Sequence, residues 1–103
     1  PIDLSDSNGE LVLQADLPGF EKDDIRVHVT EDSIEIRAEK KREKKEVTET
    51  MYRQERATGS LRRFMSLPVK VNPEEVDAEF KDGVLTIRMK KKQVKKGKEV
   101  KIK

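Results

Sequence analysis

Ala78-Glu79-Phe80-Lys81-Asp82-Gly83-Val84-Leu85 is the stretch whose reading decides the fold. Asp82-Gly83 is a two-residue hairpin signal, because a type I′ turn needs positive φ at both central positions. Aspartate tolerates that conformation, and glycine adopts it without steric cost. Beyond the turn, Leu85, Ile87 and Met89 alternate with Thr86, Arg88 and Lys90. Period two puts one face of this strand in a core and the other in water.

The same reading extends outward. Upstream, Asn72-Pro73-Glu74-Glu75 predicts one helical turn, with Asn as N-cap, Pro at the first position and carboxylates near the positive end of the dipole. Phe64–Leu67 predicts a strand closed by Pro68, and Ala57–Ser60 a break before it. Toward the N-terminus, Ile2–Asp6 predicts a short strand, and Asn8-Gly9 is a second hairpin signal. Leu11, Leu13, Ala15 and Leu17 form an apolar face against Val12, Gln14 and Asp16. Pro18-Gly19 suits the centre of a type II turn. After a polar link at Glu21–Asp24, Ile25, Val27 and Val29 make the next inward face, with Arg26, His28 and Thr30 outward. Glu31-Asp32 leads into Ser33–Lys40, where Ile34, Ile36 and Ala38 point in. Lys41–Glu46 has no apolar residue and predicts a solvated loop; Val47–Arg56 regains β character. Eight or nine short strands with hardly any helix predict an all-β antiparallel sandwich.

Composition narrows the function. At 103 residues the chain predicts one domain. Charged residues make up 43% and hydrophobic ones 33%, a balance that would favour disorder if the apolar residues were scattered rather than set on strand faces. The 23 basic and 21 acidic residues leave +2, which argues against a nucleic-acid partner. The lysines of the tail (Lys90–Lys92, Lys95, Lys96, Lys98) have no interleaved aromatic to stack on bases. Cysteine is absent, so no disulfide framework or cysteine-ligated metal is expected. No phosphate-binding loop occurs, and Lys96-Gly97-Lys98 lacks the required second glycine. His28, the single histidine, sits on an outward face without a catalytic partner, and Glu74/Glu75 read as helix-end charges. No enzyme, cofactor or membrane span is therefore expected, and the chain reads as cytoplasmic. Pro1 in place of Met predicts that an N-terminal segment has been lost.

Four motifs in fixed order carry a family resemblance: Leu17-Pro18-Gly19-Phe20, Tyr52-Arg53-Gln54-Glu55-Arg56, Ala78-x-x-x-Asp82-Gly83-Val84-Leu85 and the tail triplet Val100-Lys101-Ile102. Together they resemble the α-crystallin domain of small heat-shock proteins over almost the whole chain. The resemblance implies an immunoglobulin-like β-sandwich of the non-metazoan, archaeal type, and the lysine- and glutamate-rich, cysteine-free composition is what hyperthermophile chains look like. The resemblance implies a domain at residues 1–90 and a flexible extension at 91–103. It implies an ATP-independent chaperone that binds unfolding client proteins and assembles from homodimers into larger homo-oligomers. It further implies strand exchange, with Thr48, Thr50, Met51, Tyr52, Arg53, Gln54, Glu55 and Arg56 crossing to a partner edge that includes Ile2 and Leu4. The tail motif, Val100 and Ile102, would dock in a groove formed by Val27, Val29, Val76, Ala78 and Phe80. Pro18, Gly19, Asp82 and Gly83 hold the structural turns. Without the resemblance, the tail alone would read as a frayed end. Two other readings compete: a co-chaperone adaptor of the same fold, and a basic RNA-binding module.

Overall fold

The computed structural model describes residues 2–40, 59–92 and 98–103. Among them are seven strands: β1 (Ile2–Ser7), β2 (Glu10–Asp16), β3 (Ile25–Val29), β4 (Ser33–Glu39), β5 (Ser60–Ser66), β6 (Val71–Lys81) and β7 (Val84–Lys91). They form two antiparallel sheets, one in the order β1-β2-β7-β6 and the other β3-β4-β5. The two sheets make the antiparallel β-sandwich that the strand pattern predicts.

Turn chemistry sets the hairpins. Asn8 and Gly9 have φ of 47° and 81°, and Asp82 and Gly83 have 52° and 78°. Both central residues of each turn are thus left-handed, the condition under which a two-residue link matches the strand twist. Across Pro18-Gly19, the Phe20 N–H donates to the Leu17 carbonyl at 3.3 Å while Gly19 has φ of 84°. The Leu17 N–H reaches the Gly83 carbonyl at 2.7 Å, which ties this turn to the β6–β7 hairpin.

The inward rows of the two sheets meet in one core. Leu11, Leu13 and Ala15 of β2 pair with Met89, Ile87 and Leu85 of β7. All six are buried, as are Ile34 and Ile36 of β4 opposite them. Burying a side chain of this kind contributes about 1.5–3 kcal/mol, so this small set of residues carries the stability of a highly charged chain.

Several local expectations give way to the structure. Asn72–Glu75 is not a helical turn; it lies inside β6. Val71 pairs with Lys91 and Val76 with Met89, so β6 loops out residues that β7 does not match. The Asn72 Oδ1 does accept from the Glu74 N–H at 3.0 Å. That bond opens an Asx turn as readily as a helix. Pro73 has no N–H for the ladder, which places it at an irregularity in an edge strand. Ser60 does not break the chain but starts β5, four residues earlier than predicted, because Glu39 extends the β4 ladder to pair with it. Glu21–Asp24 is a 3-10 turn over Lys22–Asp24, closed by the Glu21 N–H donating to Asp24 Oδ2 at 2.8 Å. Val12, on the outward face, is nonetheless only 8% exposed, between Ser5 and Arg88 on the flanking strands.

Candidate binding groove and tail

Strand order leaves β6 at one end of its sheet and β3 at one end of the other. These two edges border a groove of about 310 Å³. Its floor is apolar, made by Ile25, Val27, Ala78, Phe80 and Leu85, and its rim is charged, made by Lys22, Asp23, Arg26 and Glu79. Of the five residues predicted for the groove, Val27, Ala78 and Phe80 line it. Val29 and Val76 are half-buried against the core and lie outside the lining. Ile25 and Leu85 were missed. Both were within reach: Ile25 precedes Val27 by two on the same strand face, and Leu85 stands opposite Phe80. An apolar floor between two strand edges offers unpaired backbone groups beside pockets for alternate side chains. Extended peptides bind such edges by adding a strand.

The C-terminal segment divides into an anchored start and an exposed end. The Lys91 N–H donates to the Gly9 carbonyl and the Lys92 N–H to the Lys70 carbonyl, both at 2.9 Å. The Lys91 ammonium pairs with Asp6. Glu31 receives two ammonium groups, Lys92 at 2.7 Å and Lys70 at 3.0 Å. The hydrogen bond from Lys92, and then that from Lys70, hold the Glu31 carboxyl at a pKa of about 2, well below its ordinary range. Lys70 is raised in return by its bond to Glu31. Farther on, Val100 and Ile102 are 81% and 92% exposed. They stand one residue apart, so in an extended peptide both side chains point the same way.

At the other side of the first sheet, β1 is a free edge among the described residues. Ile2 and Leu4 are half-buried against the core and leave the outer edge of β1 unpaired. Thr48, Thr50, Met51, Tyr52, Arg53, Gln54, Glu55 and Arg56, the segment predicted to cross to a partner, lie outside the described residues.

Comparison with known proteins agrees with the sandwich. Residues 3–103 match the model of the Hsp20/alpha crystallin family, and the chain belongs to that family. It is 35% identical over 91 residues to spore protein SP21 of Stigmatella aurantiaca, covering 88% of this chain and 54% of that one. It is 34% identical to small heat shock protein C4 of Rickettsia felis, with coverage of 97% and 61%. The 17.5 kDa class I heat shock protein of Glycine max is 33% identical, with 92% and 63% covered. The chain thus spans roughly three fifths of the length of these relatives. Among solved structures, a small heat-shock protein from Xylella fastidiosa superposes with a TM-score of 0.69 at 30% identity, covering all of this chain and 94% of that one. A mutant of hsp14.1 from Sulfolobus also scores 0.69, at 35% identity, with 88% and 74% covered. These relatives come from bacteria, plants and an archaeon.

Proposed function

We propose that this chain is the α-crystallin domain, with its C-terminal extension, of an ATP-independent holdase that binds non-native proteins and suppresses their aggregation. The observation that carries the reading is the apolar groove between the edges of β3 and β6, together with an exposed Val-x-Ile segment of matching chemistry. Free sheet edges are a hazard that soluble proteins normally cover. Here the groove has a use for its edges: it accepts the tail of another subunit, or an apolar segment of an unfolding client. Capture of the non-native state lowers its free concentration by mass action and needs no nucleotide.

Magnitudes say what kind of contact a docked tail is. Burying Val100 and Ile102 contributes about 1.5–3 kcal/mol each. Ordering the backbone around them costs about 1–2 kcal/mol per residue. Hydrogen bonds to the groove edge add about 0.5–1.5 kcal/mol apiece. One tail is therefore a weak, reversible contact, and assembly rests on several acting together. Residues 91–103 serve as this extension, whose first two residues, Lys91 and Lys92, are still tied to the sandwich, and residues 1–90 as the domain. Dimers form through exchange of the Thr48–Arg56 strand onto the partner's β1, in the cytoplasm and without a cofactor.

The deciding experiment is heat-induced light scattering of a model client with and without this protein, each with and without ATP. Suppression equal in both nucleotide conditions is expected. An ATP requirement, or no suppression at all, overturns the holdase reading. Deletion of Lys44–Arg56 is expected to yield monomers in light scattering, and persistence of the dimer overturns the exchange.

A further inference from the structure

Cross-strand register on the smaller sheet builds a surface that the tail does not use and that meets the groove only at Arg26. Arg26 pairs with Arg37 and Arg37 with Arg62, so three arginines stand in one row across β3, β4 and β5. All three are exposed and lie on the face opposite Ile34 and Ile36. Like charges directly opposite one another destabilise a sheet. Among the described residues this row is only partly neutralised. Arg62 donates twice to Glu35, from Nε at 2.9 Å and Nη2 at 2.7 Å, which sets the plane of its guanidinium. Arg37 is 3.9 Å from the same carboxylate, and Arg26 makes a long 3.5 Å bond to the Ile25 carbonyl. The next row on this face is His28, Glu35 and Phe64. Phe64 is 65% exposed, which is unusual for so large an apolar group. Successive rows on one strand face are about 6.8 Å apart, and neighbouring strands about 4.8 Å. A line of guanidinium groups thus runs one step from an open aromatic ring.

We propose that this outer face binds single-stranded nucleic acid, with Arg26, Arg37 and Arg62 on successive phosphates and Phe64 stacked on an unpaired base. Phosphate is the anion that planar guanidinium forks match best. An exposed ring on a sheet is a stacking platform that a duplex, whose base faces are covered, cannot use. An acidic peptide would engage the arginines but leave Phe64 without a role. Thr30, Ser33 and Ser66 in the following row add hydroxyls on the far side of the ring. The low net charge averages over the whole chain and the aromatic-free lysine tail is a separate segment, whereas the arginine row is a local patch. The arginine row comes from positions far apart in sequence, and register alone brings it together. The proposal is independent of the holdase reading. Each subunit takes two or three nucleotides, so binding is weak per copy and grows when several copies share one strand.

The test is fluorescence anisotropy of a labelled oligouridine with the full chain across a salt series. Two or three phosphate contacts give a slope of log K against log salt of about −1.4 to −2.1. Arg26→Gln with Arg37→Gln is expected to flatten the slope by about 1.4. Phe64→Ala is expected to weaken binding by about 5- to 150-fold with the slope unchanged. Arg26→Lys with Arg37→Lys, which keeps the charge and guards against a folding artefact, is expected to retain the slope. Neutralising Lys95, Lys96 and Lys98 to Gln is expected to change nothing. Loss of binding in that tail variant, insensitivity to the arginine and Phe64 variants, or no binding at low salt overturns the proposal. So does a duplex that binds as tightly as the single strand. Displacement by poly-glutamate that depends on the arginines but not on Phe64 would assign the face to an acidic protein segment instead.

Discussion

Ile87 and Ile102 carry the same side chain on the same C-terminal stretch, yet one is fully buried and the other 92% exposed. Ile87 sits on β7 between Leu13 and Ala78 on the flanking strands, and its burial belongs to folding. Ile102 lies beyond the last ladder, without apolar cover among the described residues. Between them, Lys91 and Lys92 are held by Asp6 and Glu31. The sandwich therefore ends at a charged anchor, and the apolar side chains of Val100 and Ile102 beyond it stay exposed, where the proposed function gives them to association. Hydrophobic residues do different work on either side of that anchor, and each side can be disturbed alone.

The largest expected effect is on the buried side. Ile87→Ala should destabilise the fold by about 2–5 kcal/mol, since it removes methyl groups and leaves a cavity. Chemical denaturation followed by circular dichroism measures this; a shift below half a kcal/mol would mean the core repacks. Ile102→Ala should leave that denaturation curve within about 0.5 kcal/mol, as for exposed positions generally. Native mass spectrometry should show it breaking large assemblies into dimers. Unchanged assembly size would make the tail a frayed end, and the contrast with Ile87 would vanish.

The smallest effect concerns the anchor. Glu31→Gln removes the carboxylate that Lys70 and Lys92 share, and surface ion pairs of this kind contribute little. Its value is its pH signature. The folded pKa of about 2 lies below that of an unfolded glutamate, so the wild type gains stability from Glu31 above the unfolded value. That gain is lost as pH falls through about 2. Denaturation midpoints of wild type and Glu31→Gln should therefore differ slightly near neutral pH and converge in acid. High salt should also close the gap. A difference that grows on acidification would contradict the anchor.

Legibility followed the range of the interaction. The faces of β2, β4 and β7 could be read because strand periodicity is written in consecutive residues. The hairpins at Asn8-Gly9 and Asp82-Gly83 could be read because positive φ is a property of the residues themselves. Asn72-Pro73 was misread because its first hydrogen bond is common to a helix cap and an Asx turn; only the pairing of Val71 and Val76 with β7 separates the two. Ser60 looked like a breaker until Glu39 paired with it. The groove was half legible. Val27, Ala78 and Phe80, named from the family pattern, line the cavity between the two strand edges together with Ile25 and Leu85, while Val29 and Val76 lie outside that lining.

By itself, the sequence determined the β class, the turns, the inward rows and the apolar pair at Val100 and Ile102, all set by local sterics and period-two patterning. Tertiary structure alone decided which strands became edges, that Glu31 meets Lys70 and Lys92, and that Arg26, Arg37 and Arg62 share a row. Those are contacts between residues distant in the chain, and no local preference specifies them. They follow from register, which is set only when two apolar faces close on a common core.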